Sequence, residues 1–296
     1  MSRLNPPTSA DDPFFSITSV KHRHLAWSLL GPSLIDTDWA PAEQPWLPEL
    51  SNLINTPIPT EARSARLGLV FEHLWHHWLE TTRWRWQANI QVQESGKTLG
   101  EMDLILAPGN TAPLHLELAL KFYAGFGADW IGPNRRDYLR DKLHHTQTRQ
   151  LSLSGSAAAR KHLIEHGWNP DVGQSQAIMR GCLFYPANPD IRVELPDGIS
   201  DQHWRGNWCH HSELKERLPA GNWYLIAKDE WISPVLSQIA VPNDELYPLL
   251  ALHFRYLSTP VCLAQMASGR YGWGEIERWF VMPDHWPSKP VSTTSL

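Results

Sequence analysis

Apolar and polar residues alternate most sharply between Leu114 and Tyr123. Leu114, Leu116, Leu118, Leu120 and Phe122 fall on one side, and His115, Glu117, Ala119, Lys121 and Tyr123 on the other. A period of two predicts a strand with a buried face. Just upstream, Glu101, Asp103 and Ile105 alternate with Met102, Leu104 and Leu106, and the segment Pro108–Pro113, with Gly109-Asn110 inside it, has the composition of a hairpin turn. The pattern therefore predicts two antiparallel strands with Asp103 and Glu117 side by side and Lys121 four residues further along. Trp84–Gln93 alternates well enough to be a third strand leading into this hairpin.

Helical periodicity brackets the three strands. From about Glu61 to Leu79, the residues Leu67, Val70, Phe71, Leu74 and Trp78 recur on one helix face, with Glu72 on its margin beside Gly68, Trp75 and Leu79. A side chain there can reach over the edge of whatever the helix packs on. A second helix is predicted from Gly132-Pro133-Asn134 towards Leu151, with Leu139, Leu143, Thr146 and Gln150 facing inward and Lys142 beside them. Gln150 is then a polar group on an inward stripe and needs either backbone or a ligand as partner. A short helix over Ala157–Gly167 and a strand over Ser175–Tyr185 follow.

The ends of the chain are less regular. Residues up to about Ser19 are rich in Pro, Ser and Asp and predict a loose arm, while His24–Leu30 and Trp46–Asn55 predict small helices or packed turns. Beyond Gly198, WYLIAKDEWISP and ERWFVMPDHWP predict strands and Asp244–Leu257 a helix. The resulting division is an N-terminal arm with short helices (1–60), a core (61–197), a C-terminal α+β portion (198–286) and a disordered tail (287–296). Together the elements predict an α/β protein whose central mixed sheet is flanked by helices.

Composition narrows the function classes. At 42% apolar residues, 296 residues can enclose a proper core. The longest apolar run, LYPLLALHF, is too short to span a membrane, and the first residues lack the apolar core of a signal peptide. No membrane association and a cytoplasmic location are the expectations. Cys182, Cys209 and Cys262 are an odd number without a close pair, which points to reduced thiols. A net charge of −5 argues against a body coated in nucleic acid but permits a local basic patch. Such a stretch exists in Arg135, Arg136, Arg140, Lys142 and Arg149, with only Asp137 and Asp141 among them; it is either a phosphate-binding face or a solvated helix surface. The 16 tryptophans suit core packing and base stacking alike.

Chemistry concentrates on the hairpin. Two carboxylates held together repel unless a cation or proton sits between them, and Mg²⁺ takes one or two carboxylates plus waters and phosphate oxygens. A solvated sheet face with ordinary charges is the alternative. His73, His76 and His77 invite a zinc hydrolase reading, but they lack an HExxH pattern and cysteine partners, and His76 faces away from the other two.

A helix with Glu72, a strand with Asp103, a strand with Glu117 and Lys121, and a helix with Gln150 resemble the PD-(D/E)XK nuclease superfamily over about Glu61 to Tyr185. More narrowly, RLGLVFEHLWHHWL, TLGEMDLIL, HLELALKFY and WIGPNRRDYLRDKL resemble an uncharacterised bacterial domain-of-unknown-function family, number 1853, over nearly the full length. The resemblance implies a restriction-endonuclease-like core and a metal-dependent endo- or exonuclease acting on DNA or RNA. It further implies that Glu72, Asp103 and Glu117 ligate Mg²⁺ or Mn²⁺, that Lys121 acts on the attacking water, and that Gln150 steadies the site. Arg135, Arg136, Lys142 and Arg149 would then bind phosphates. One departure stands out: the superfamily pattern is E-x-K, whereas here Ala119 holds that position and Lys121 lies roughly 6.6 Å further along the strand. A nuclease-fold binding or scaffold protein without turnover is therefore the alternative.

Overall fold

Strand β3 (Leu114–Phe126) is buried on both faces, and between Leu114 and Gly125 Lys121 alone is only half-buried. Its Leu114, Leu116, Leu118, Leu120 and Phe122 pack with Leu25 and Trp27 of α1 (Val20–Leu30) and with Phe71 and Trp75 of α3 (Leu67–Glu80). On the other face, Ala119 and Tyr123 pack with Trp130, Leu34, Ile35 and Leu139 of α4 (Leu139–His145). The chain is described by a computed structural model over residues 4–58, 66–109 and 111–288.

β3 is the hub of a large mixed sheet. β1 (Arg85–Glu94), β2 (Lys97–Ala107) and β3 run antiparallel, as the hairpin pattern predicts. β5 (Gln174–Pro186) then lies parallel to β3 from Leu114↔Gln174 to Ala124↔Phe184, and the crossover between them carries α4 and α5 (Ala157–Glu165). β4 (Asp129–Ile131) pairs with the far end of β3.

The C-terminal portion continues this sheet edge to edge. β6 (Arg205–His210) runs parallel to β5 and to β11 (Gly272–Met282), and β11 pairs antiparallel with β10 (Val261–Gly269). β7 (Asn222–Leu225) and β9 (Val241–Pro242) extend it beyond β10, and β8 (Leu236–Ser237) pairs with β11. The fold is thus α/β, with one mixed sheet flanked by helices. The remaining α-helices among the described residues are α2 (Leu50–Leu53), α6 (Leu214–Arg217) and α7 (Asn243–Tyr256). Ten of the 16 tryptophans are buried, so most of that excess serves packing. Among the described residues, no helix is long and apolar enough to cross a membrane, and Cys182, Cys209 and Cys262 are free and buried.

Three expectations change. The N-terminal segment is not a loose arm, because Phe14 and Phe15 are buried in the main core and the Asp12 side chain accepts the Phe14 N–H to start a turn. The second helix begins at Leu139 and not at Gly132, because Gly132 and Asp137 are joined across a turn in which Arg135 takes a φ of 59°. The first helix begins at Leu67; positions 61–65, Asn110 of the predicted hairpin turn and positions 289–296 of the predicted tail lie outside the described residues.

Candidate functional site

The pairing of β2 with β3 runs Leu106↔Leu114, Ile105↔His115, Leu104↔Leu116, and stops. The next pair in that register would be Asp103 opposite Glu117. Here side chains replace the ladder: Asp103 Oδ2 accepts the Leu118 N–H at 2.9 Å, and the Glu117 carboxylate takes the Asp103 N–H. Each carboxylate satisfies a backbone donor that the separating strands leave free. The two carboxyl groups also lie within hydrogen-bonding contact of each other.

Glu117 is 2% exposed, and both its oxygens are occupied. His115, two residues earlier on the same strand face, donates Nε2–H to Oε1 at 3.0 Å. Its Nδ1 is buried without a partner, and burial lowers its pKa to about 4, which keeps the imidazole neutral. Gln150 Nε2 donates to Glu117 Oε2, and Gln150 Oε1 accepts from Lys142 Nζ at 2.8 Å and Thr146 Oγ1 at 2.9 Å. Since an ammonium can only donate, this fixes which end of the amide faces Glu117.

The helix geometry explains how Lys142, Thr146 and Gln150 converge. In a regular α-helix, residues i and i+8 point about 80° apart. After α4 the chain widens into a π turn, Thr146–Gln150, in which the Leu151 N–H bonds to Thr146 O. The extra residue per turn rotates Gln150 back towards the line of Lys142 and Thr146. Such insertions recur at functional sites.

Burial raises the pKa of Asp103, Glu117 and Glu72 to about 7 each. For Asp103 the next cause is Glu117, and for Glu72 it is Asp103. Glu72 therefore reaches from α3 into the field of the pair, and Glu101 adds negative charge to both Glu72 and Glu117. Lys142 is the cation that offsets the charge on Asp103 and Glu117.

The structure thus brings Asp103, Glu117 and Gln150 into contact, with Glu72 near them and Lys142 one side chain behind. It takes Lys121 elsewhere: Nζ lies 2.6 Å from Asp137 Oδ2 in a partly exposed ion pair. Arg136 and Arg149 are exposed, and the Arg135 guanidinium is bound to the Ser288 carbonyl. His76 stacks on Trp86 and His77 bonds to the Pro57 carbonyl, so those histidines are engaged separately. The sequence did signal His115 by its parity with Glu117, whereas the Asp137 partner of Lys121 has no such signature.

The residues fit a hard divalent cation in part. Asp103 and Glu117 supply carboxylate oxygens in contact, the donor chemistry Mg²⁺ and Mn²⁺ prefer, and Glu72 adds a third carboxylate nearby. No group of three His, Cys, Asp or Glu among the described residues is already arranged as a ligand set. Asp103 and Glu117 would therefore hold the ion, with water and substrate completing its shell.

A family model described as Domain of unknown function (DUF1853) matches residues 23–282. Neither a curated protein nor a solved structure matches the chain.

Proposed function

The chain belongs to the DUF1853 family, and we propose that it is a Mg²⁺- or Mn²⁺-dependent phosphodiesterase acting on DNA or RNA, on a restriction-endonuclease-like core of the PD-(D/E)XK type. The observation that carries this reading is the contact between Asp103 and Glu117 where β2 and β3 separate. Beyond the backbone donors they satisfy, two like charges in a half-dry site cost folding free energy, and carboxyls perturbed in this way are candidates for a functional site. The bound ion would polarise the scissile phosphate and stabilise charge on the leaving oxygen.

The chain's own residues have distinct tasks in this scheme. Asp103, locked by the Leu118 N–H, and Glu117, locked by His115 and Gln150, present oxygens in a fixed geometry. Glu72 approaches from the opposite layer. Exposed Arg136 and Arg149 bind flanking phosphates, which is an electrostatic and sequence-independent contribution.

One observation favours a second reading, a nucleic-acid-binding or scaffold protein without turnover: Lys121 is committed to Asp137. Cleavage separates the two. Single- and double-stranded DNA and RNA are incubated with wild-type protein and with Glu117→Gln, with and without Mg²⁺ or Mn²⁺. The enzyme reading expects metal-dependent cleavage by wild type and loss of at least about 100-fold in the variant. Binding without metal-dependent cleavage of any of the four substrates supports the scaffold.

A further inference from the structure

Lys121 and Lys142 lie on different elements and have different commitments. Lys121, on β3, is held by Asp137 at 2.6 Å. Lys142, on α4, is bound to Gln150, and Gln150 in turn to Glu117. The charge of Lys121 is therefore neutralised locally, whereas that of Lys142 acts on Asp103 and Glu117.

We propose that Lys142, and not Lys121, is the lysine that serves the Asp103–Glu117 pair. It is a positioning residue: together with Thr146 it holds Gln150 Oε1, so that the amide can present only its N–H to Glu117. It also sets an ammonium behind the cation site, where it opposes a bound divalent ion and limits its affinity. The π turn is what makes this possible, since it aligns residues 142, 146 and 150 on one side of the helix. The dislocated lysine of the E-x-K comparison is then a structural residue, and the working one comes from the neighbouring helix.

This inference rests on the proposed cation site, and its test distinguishes the two. Mn²⁺ affinity is measured by calorimetry on full-length wild type, Lys142→Met, Lys142→Arg, Lys121→Met and Thr146→Val, alongside the cleavage rate. Lys142→Met should bind Mn²⁺ about threefold or more tighter, because a neighbouring positive charge is gone, while cleavage falls about 100-fold as Gln150 is no longer held in place. Lys142→Arg should keep the wild-type Mn²⁺ affinity. Lys121→Met should stay within about twofold of wild type in affinity and about threefold in rate, the scale expected for a site away from the reacting atoms.

Thr146→Val removes the second donor without changing charge, so it should slow cleavage at unchanged Mn²⁺ affinity, and it serves if Lys142→Met does not fold. A general structural defect would weaken Mn²⁺ binding and not tighten it. Wild type that binds no Mn²⁺ overturns both the proposed function and this inference. Wild type that binds Mn²⁺, with the changes in Lys121→Met or in neither lysine variant, overturns this inference alone. If wild type binds Mn²⁺ without cleaving, tightening in Lys142→Met and not in Lys121→Met still supports it.

Discussion

Asp103 is the residue at which structure and charge pull in opposite directions. Its side chain is needed by the Leu118 N–H, yet its ionised form is opposed by burial and by Glu117. The folded-state pKa, near 7, lies above the ordinary carboxylate value, as do those of Glu117 and Glu72. Folding therefore takes up protons: the stability they contribute is fully present below about pH 4 and is lost as pH rises through about 7. Without metal, thermal unfolding should show a falling contribution across that window. Asp103→Asn supplies a carbonyl for Leu118 and an N–H₂ for Glu117 without a charge, so its Tm at pH 8 should exceed that of wild type by roughly 2–4 °C. An equal or lower Tm at pH 8 would show that the pair is not strained. Lys121→Met, by contrast, should cost only about 1 kcal/mol, because its ion pair with Asp137 is partly exposed. Period two made Asp103, Glu117 and His115 legible in the sequence. The partner of Lys121 was not legible, because a turn of irregular backbone sets where Asp137 falls.

At the scale of elements, the site depends on β3 holding its place between β2 and β5. Gly181 of β5 pairs with Lys121 at a φ of 135°, and a Cβ there would lie 1.6 Å from the Lys121 carbonyl oxygen. Gly181→Ala should therefore destabilise by about 3 kcal/mol in chemical denaturation. Gly155→Ala, where a Cβ meets nothing within 4 Å, should stay within about 0.5 kcal/mol of wild type. Apolar periodicity located the three antiparallel strands, β5 and α7 to within a few residues, and the body and end of α3 but not its start at Leu67. It missed the start of α4, because Gly-Pro-Asn reads as a helix start and as a turn alike, and the Gly132–Asp137 hydrogen bond chose the turn. The π turn has no local signature either, although the resemblance already implied that Gln150 steadies the site.

The whole molecule is a single sheet path from β1 to β9 rather than a core with a separate unit laid against it. The parallel contacts of β6 with β5 and β11 join the halves, and pairings between strands so distant in sequence leave no periodic trace. On an acidic body, binding of nucleic acid must come from local basic residues. If Arg136 and Arg149 contact phosphates, affinity for a DNA or RNA duplex should fall steeply with salt, and each Arg→Ala change should lower the slope of log K against log[salt] by about one. Slopes identical to wild type would remove those residues from the interface.

Calorimetric titration with Mn²⁺ near pH 7.5 tests most directly whether the Asp103–Glu117 pair is a divalent-cation site. Wild type should bind one Mn²⁺ per chain, releasing protons as the two raised carboxyls ionise, and Asp103→Asn should lose that binding while remaining folded. Absence of Mn²⁺ binding by wild type, or equal binding by Asp103→Asn, would contradict it.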